Sequence, residues 1–166
     1  SRRVDTFFKN GHYNVANEPS FLTPWLYHWA GHPEMSLDRI RQIINDNYDD
    51  TPDGLPGNDD SGAMSSWLVF NMLGIYPVAG QNLYLVRPDI THNGQIQKTN
   101  QHEQGLTAGT FMRHDDVVEY LRNQPLHIDT SLTGRDSKRT PTVSPTSVMH
   151  PEHLPTPQYM VSYTLN

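Results

Sequence analysis

Apolar residues recur at helical spacing through the first half of the chain and thin out after about residue 90. The clearest case is "PEMSLDRIRQIINDNY" (33–48). Leu37, Ile40, Ile44 and Tyr48 fall on one helical face and Pro33 suits the first position, so a helix is predicted. "PSFLTPWLYHWAG" (19–31) reads as a buried, aromatic-rich helix or helical turn, with Pro19 and Pro24 in its first turns or at a kink and Gly31 as its stop. "AMSSWLVFNMLGI" (63–75) is apolar on nearly every side and predicts an inner helix covered all round, ended by Gly74 and Pro77. A loop rich in Gly, Pro and Asp (49–62) joins these last two helices. "NLYLVRP" (82–88) has the short apolar pattern of a strand, the first of a further element. "VVEYL" (117–121) fits a short helix or strand, and residues 141–157, with five prolines, read as an extended or disordered tail. Two or three helices cannot bury their faces alone, so the first half is predicted to be a piece of a larger, mainly α assembly.

Composition narrows this picture. The 166 residues suffice for one domain with a real core. There is no cysteine, which excludes disulfides and thiolate metal sites without fixing the compartment. No stretch is long and apolar enough to span a bilayer. The sequence opens on Ser1 with no run resembling a signal peptide, so a precursor start is expected upstream. The net charge of −6 is uneven: residues 1–83 hold ten acids against five Lys/Arg, and residues 84–166 hold eight against seven. Asp46, Asp49, Asp50, Asp53, Asp59 and Asp60 follow one another with no basic residue between them. Such a field repels nucleic acid and attracts cations, although an acidic run is more often a solvated face.

Oxygen donors without thiols suit a hard cation, calcium before magnesium. An EF-hand register with Gly54 as the invariant glycine places Asp49, Thr51 and Asp53 at the first three ligand positions and Asp60 at the last. Thr51, the short closing aspartate and Pro56 all count against it. The alternative splits the site between distant segments. Asp60 precedes the helix that starts near Gly62, where its carboxylate is expected to accept backbone N–H bonds and meet the positive end of the helix dipole. It is then either a plain cap, a role Ser61 could share, or an ionised metal ligand or water-activating base. Glu18 in "ANEPS" is the best candidate for the opposing carboxylate, and otherwise an ordinary exposed acid in a first turn. His28 and His32 have the i, i+4 spacing of a zinc pair, but Trp29 stands where the zincin glutamate belongs and Gly31–Pro33 interrupts the helix, so a buried or rim histidine is the default. Trp25, Tyr27, Trp29, Trp67, Phe70 and Tyr76 supply either a sugar-stacking platform or, more commonly, core packing.

Taken in order and spacing, "NGHYNVANEPSFLTPWLYHWAG", "DGLPGNDDSGAMSSWLVFNMLGIYPVAG" and "YLVRP" resemble the C-terminal part of the catalytic domain of glycoside hydrolase family 92, the calcium-dependent exo-acting α-mannosidases. The resemblance runs from about residue 7 to about residue 88. It implies that residues 1–80 end an (α/α)6 barrel, that 81–90 start a C-terminal β element, and that 91–166 form a divergent, irregular tail. It implies hydrolysis of terminal α-mannosides, chiefly α-1,2, with inversion. The substrates are then mannose-containing oligosaccharides or glycoproteins, as in N-glycan processing, and the enzyme is secreted or extracellular. It places Asn17 and Glu18 at the calcium, makes Asp60 a calcium ligand and the general base on the attacking water, and makes Asp59 an accessory acid that shapes the site. Many members write the motif "GDED", so Asn58 weakens any share of the base role held by that first acid. The family's general-acid glutamate belongs to a segment upstream of "NEPS" that this sequence does not contain. The chain alone is therefore expected to be inactive and poorly folded, with the remainder of the catalytic domain as its partner. Inversion by a base with room for a water, beside a cation that positions the sugar without a covalent intermediate, suits these residues. Two other readings keep the motif: a non-catalytic calcium- or carbohydrate-binding module, and a small EF-hand-like calcium protein.

Overall fold

The computed structural model describes residues 2–89, 105–123 and 128–133. The Pro-rich tail predicted over 141–157 lies outside them. Helix α1 (Arg2–Lys9) is followed by two short 3₁₀ turns, Glu18–Ser20 and Thr23–Tyr27, where the sequence suggested a helix or helical turn. Pro19 and Pro24 are the second residues of these turns, and each breaks the donor pattern that a continuous α-helix needs. Helix α2 (Pro33–Asn47) forms as the periodicity predicts and buries Leu37, Ile40, Ile43 and Ile44 on one face. At about 2 kcal/mol for each fully buried aliphatic side chain, this stripe is what holds α2 to the body of the chain.

Helix α3 (Ala63–Leu73) is bounded at both ends by glycines in the left-handed region, Gly62 at φ 89° and Gly74 at φ 80°. Gly74 closes the helix by donating its N–H to Phe70 and Asn71 carbonyls. The expectation of a helix covered on every side is corrected: Val69 is 40% exposed among the described residues. The strands β1 (Ile75–Pro77), β2 (Tyr84–Val86) and β3 (Phe111–Met112) form an antiparallel sheet in the order β1-β2-β3. The strand read from "NLYLVRP" is thus the second and central one, with Ile75 opposite Val86 and Leu85 opposite Phe111. Helix α4 (His114–Asn123) covers the "VVEYL" segment.

Strand alternation divides the interior in two. Leu83 and Leu85 face a larger core with Trp25, Ile40, Ile44 and Trp67. Tyr84 and Val86 face a smaller one with Leu73, Val117 and Leu121. Helix α3 contributes to both. A chain of hydrogen bonds stitches the aromatic segment to it: Trp67 Nε1 donates to the Phe21 carbonyl (3.0 Å), Asn71 Nδ2 to the Trp67 carbonyl (2.7 Å), and Trp25 Nε1 to Asn71 Oδ1 (3.0 Å). Trp25, Tyr27 and Trp67 are thereby core residues and present no sugar platform.

His28 is fully buried between Ser36 and β2, with Nδ1 2.8 Å from the Ser36 hydroxyl and Nε2 3.0 Å from the Val86 carbonyl. A carbonyl only accepts, so Nε2 carries the proton and the Ser36 hydroxyl donates to Nδ1. Both nitrogens are thus engaged, whereas His32 is exposed beside Glu34. Burial lowers the His28 pKa from its ordinary 6.5 to about 4. Between these values the unfolded chain binds a proton that the folded chain excludes, so stability falls as pH drops from 6.5 towards 4. The expected loss is roughly 3 kcal/mol. Urea midpoints near neutral pH and below pH 5, compared with a His28→Asn variant, check it: the wild type should lose more stability across the window, and equal losses contradict it.

Candidate active site

Two loops meet beside α3. The first carries Asn17 and Glu18; Asn17 is extended (φ −129°, ψ 116°) and its carbonyl accepts the Ser20 N–H at the start of the first 3₁₀ turn. The second carries Asn58, Asp59 and Asp60. Their contact point is Gly57: a Cβ there would stand 3.0 Å from Ala16 Cβ and 3.2 Å from Met64 Cε, so only the bare glycine lets the loops approach without displacing these neighbours.

The outcome is a pair of carboxyl groups, Glu18 and Asp60, from segments about forty residues apart and near enough to shift one another's pKa. Glu18 is held below the usual carboxylate range, first by its own backbone N–H and then by the Asp60 carboxyl. Asp60 is pushed up, first by the hydrogen bond to Glu18, then by desolvation and by the charges of Glu18 and Asp59. Two carboxyls that influence one another in this way lose their protons in linked steps, Glu18 the more readily and Asp60 the less.

The capping role expected of Asp60 is corrected. Asp59 accepts from both the backbone N–H (2.8 Å) and the hydroxyl (2.6 Å) of Ser65. These bonds, the hydroxyl first, keep Asp59 below its ordinary pKa. Gly62 is the N-cap residue and makes no side-chain cap bond, so an acid three residues before the cap reaches the third residue of the helix. The turn that permits this is strained. Asp60 (φ 46°) and Ser61 (φ 63°) both adopt left-handed backbone conformations, as does Gly62 after them. Such a conformation costs on the order of 1–2 kcal/mol for a residue bearing a Cβ, and strain of this kind gathers at functional sites. Asn58 supports the turn by accepting the Asp60 N–H on Oδ1 (3.2 Å). Asp59 and Asn58 thus shape the loop, and Asp60 is left exposed and turned to Glu18.

The EF-hand register is not assembled. Asp49 Oδ1 accepts both the backbone N–H and the hydroxyl of Thr51, and the Asp49 and Gly54 backbones close a tight turn (2.9 Å). Among the described residues no group of three or more His, Cys, Asp and Glu is placed to hold a metal ion. Glu18 and Asp60 therefore supply two hard oxygen donors, with the exposed Asn17 next in sequence as an amide donor. That donor chemistry fits calcium, provided that further oxygens come from water or substrate.

Two carboxyls brought close on adjoining loops have the chemistry either to hold a hard cation or to activate a water. The chain matches the glycosyl hydrolase family 92 catalytic domain over residues 1–128 and belongs to that family. The match thus extends past residue 88, where the recognised motifs end, through β3 and α4. Over 86 residues the chain is 46% identical to an uncharacterized secreted glycosidase of Arthroderma benhamiae, which covers 52% of this chain and 11% of that relative.

Proposed function

We propose that the chain forms the base and metal side of a calcium-dependent α-mannosidase site, acting on terminal mannosides, α-1,2 above all, with inversion. The observation that carries this is the closeness of the exposed Glu18 and Asp60, each shifting the other's pKa, with Asp60 in a strained turn. Glu18, Asp60 and Asn17 are the residues that would hold calcium, which when bound supplies charge neutralisation and positions sugar hydroxyls. Asp60 orients the attacking water and takes its proton, and Glu18 keeps Asp60 directed at that water. The general acid and the rest of an (α/α)6 barrel come from the remainder of the enzyme, and the isolated chain is inactive. The relative described as secreted supports an extracellular enzyme acting on mannose-bearing oligosaccharides or glycoproteins.

The test is mannose release from α-1,2-mannobiose by the complete enzyme, with and without EDTA. Calcium-dependent release supports the reading, and EDTA-insensitive release contradicts it. Calcium-dependent release by the isolated chain would contradict the division of the site.

Two further outcomes are expected from the pair itself. Calcium should compete with a proton for Asp60, so affinity should rise with pH through the raised Asp60 pKa. Calorimetry in buffers of different ionisation enthalpy reads that proton directly. Ser65→Ala should weaken calcium binding several-fold by releasing Asp59 and relaxing the turn, with Ser65→Thr restoring it. Unchanged affinity in Ser65→Ala would show that the clamp does not position Asp60.

A further inference from the structure

Two tyrosines stand at the roots of the acid-bearing loops, and a third lies close to them. Tyr13 precedes the loop that carries Asn17 and Glu18, and Tyr48 closes α2 immediately before the acidic loop 49–62. Tyr76 lies in β1, just past α3. Neighbouring rings fix all three. Tyr48 stacks on Trp67 (5.7 Å between centroids, 11°), Tyr76 on Trp25 (5.6 Å, 21°), and Tyr13 packs against Phe8 (4.7 Å). Trp25 and Trp67 are in turn joined through Asn71, which leaves the stacked phenols little room to turn.

The Tyr13 and Tyr48 hydroxyls are buried and have no hydrogen-bond partner among the described residues. Tyr48 as a whole is only 8% exposed. A buried hydroxyl left unpaired forfeits the bonds that it makes to water in the unfolded chain, and protein interiors rarely leave two such groups together. The phenols are near enough to act on one another: Tyr48 and Tyr76 both bear on Tyr13, and Tyr48 bears on Tyr76. The two unpaired hydroxyls are nevertheless not bonded to each other.

Burial, the first cause in each case, pushes the pKa of all three phenols upward, so they stay protonated at neutral pH. Neutral phenols offer no charge to hold a cation. The charge of Asp59, which also reaches Tyr48, disfavours an anion. Each O–H can both donate and accept. Water has the same double capacity, and a buried water takes two to four polar partners.

We propose that an ordered water is bound between the Tyr13 and Tyr48 hydroxyls, with the Tyr76 phenol as a further partner, and that it joins the roots of the two loops that carry Glu18 and Asp60. It accepts a hydrogen bond from one phenol and donates to another. This water is a structural ligand, distinct from the one that attacks a substrate, and its site stands whether or not the two acids bind calcium.

The experiment is a crystal structure of the complete enzyme at a resolution that shows ordered solvent, together with thermal midpoints of Tyr13→Phe, Tyr48→Phe and the double variant. Phenylalanine keeps the ring and its stacking, so the fold should be retained. A water about 2.7–2.8 Å from both hydroxyls is expected, and it should be missing in Tyr48→Phe. Either single change should lower the midpoint, because the remaining hydroxyl loses its bridge. The double variant should then lose less than the two singles together. Direct bonds from these hydroxyls to other groups of the complete enzyme, with no water between them, overturn the proposal. Single variants whose midpoints rise, with effects that add, overturn it too, since that is the behaviour of hydroxyls that are simply unpaired.

Discussion

Replacing Asp60 by asparagine should lower hydrolysis by the complete enzyme about 10²–10⁴-fold, the usual contribution of a positioned general base. The substitution keeps the side chain's size and its left-handed turn, because asparagine tolerates that conformation better than most residues. It removes the member of the pair whose pKa is raised and which must be ionised to act as a base. Substrate affinity should fall as well, since the same oxygen is a proposed calcium ligand. Glu18→Gln is expected to behave differently. It should cost calcium affinity first, and it should return Asp60 towards the ordinary carboxylate range by removing the partner that raises it. The pH–rate profile of Glu18→Gln, assayed at saturating calcium, should therefore move its acid limb to lower pH. A limb that stays in place would show that Glu18 does not govern Asp60.

The largest loss of stability is expected at Arg87. Its side chain is 1% exposed and forks across two carboxylates: Nε and Nη2 bind Asp89 (3.0 and 2.9 Å), and Nη2 also binds Asp129 (2.8 Å). Nη1 reaches the Asn71 carbonyl (3.1 Å), and the Arg87 backbone N–H donates to Gly74. The Asp129 N–H in turn donates to the Met72 carbonyl (2.8 Å), so one guanidinium ties β2, the end of α3 and residues 128–133 together. Burial pushes Asp129 up, but the Ser131 hydroxyl and Arg87 outweigh it and hold the group below its ordinary pKa. Arg87→Met removes the cation and leaves Asp89, Asp129 and the Asn71 carbonyl without it. Breaking a buried pair in this way costs about 3–5 kcal/mol, a large share of the roughly 5–15 kcal/mol that holds a domain folded. Arg87→Lys should restore little, because a single ammonium cannot reproduce the fork. Chemical denaturation of the two variants reads this, and a loss under 1 kcal/mol in Arg87→Met would show that the network is not coupled to folding.

The legibility of the sequence differs between these two features. Helix α2, the acidic loop and the glycine-bounded α3 follow from periodicity and turn residues, which are local signals. Glu18 is the candidate partner of Asp60 from its place in "ANEPS", and the resemblance adds calcium to both; the two carboxyls lie near enough to shift one another's pKa. The exchange of roles between Asp59 and Asp60 was not legible. It depends on two non-glycine residues adopting left-handed backbone, which local propensity argues against. Cap rules place the acceptor at the N-cap, and here it lies three residues earlier. The three-residue strand β1 has no period to detect. Arg87 stood in plain view in "VRP", but its partner Asp129 lies 42 residues on, where no local pattern points.

The central claim is that Glu18 and Asp60 form one cation site. Its most direct measurement is a calcium titration of the chain followed through the side-chain carboxyl ¹³C signals. Glu18 and Asp60 should shift together and saturate at one calcium per chain, with Asp49 and Asp53 unmoved. Saturation at Asp49 and Asp53 with Glu18 and Asp60 unchanged would contradict the account and favour a calcium loop of the EF-hand kind.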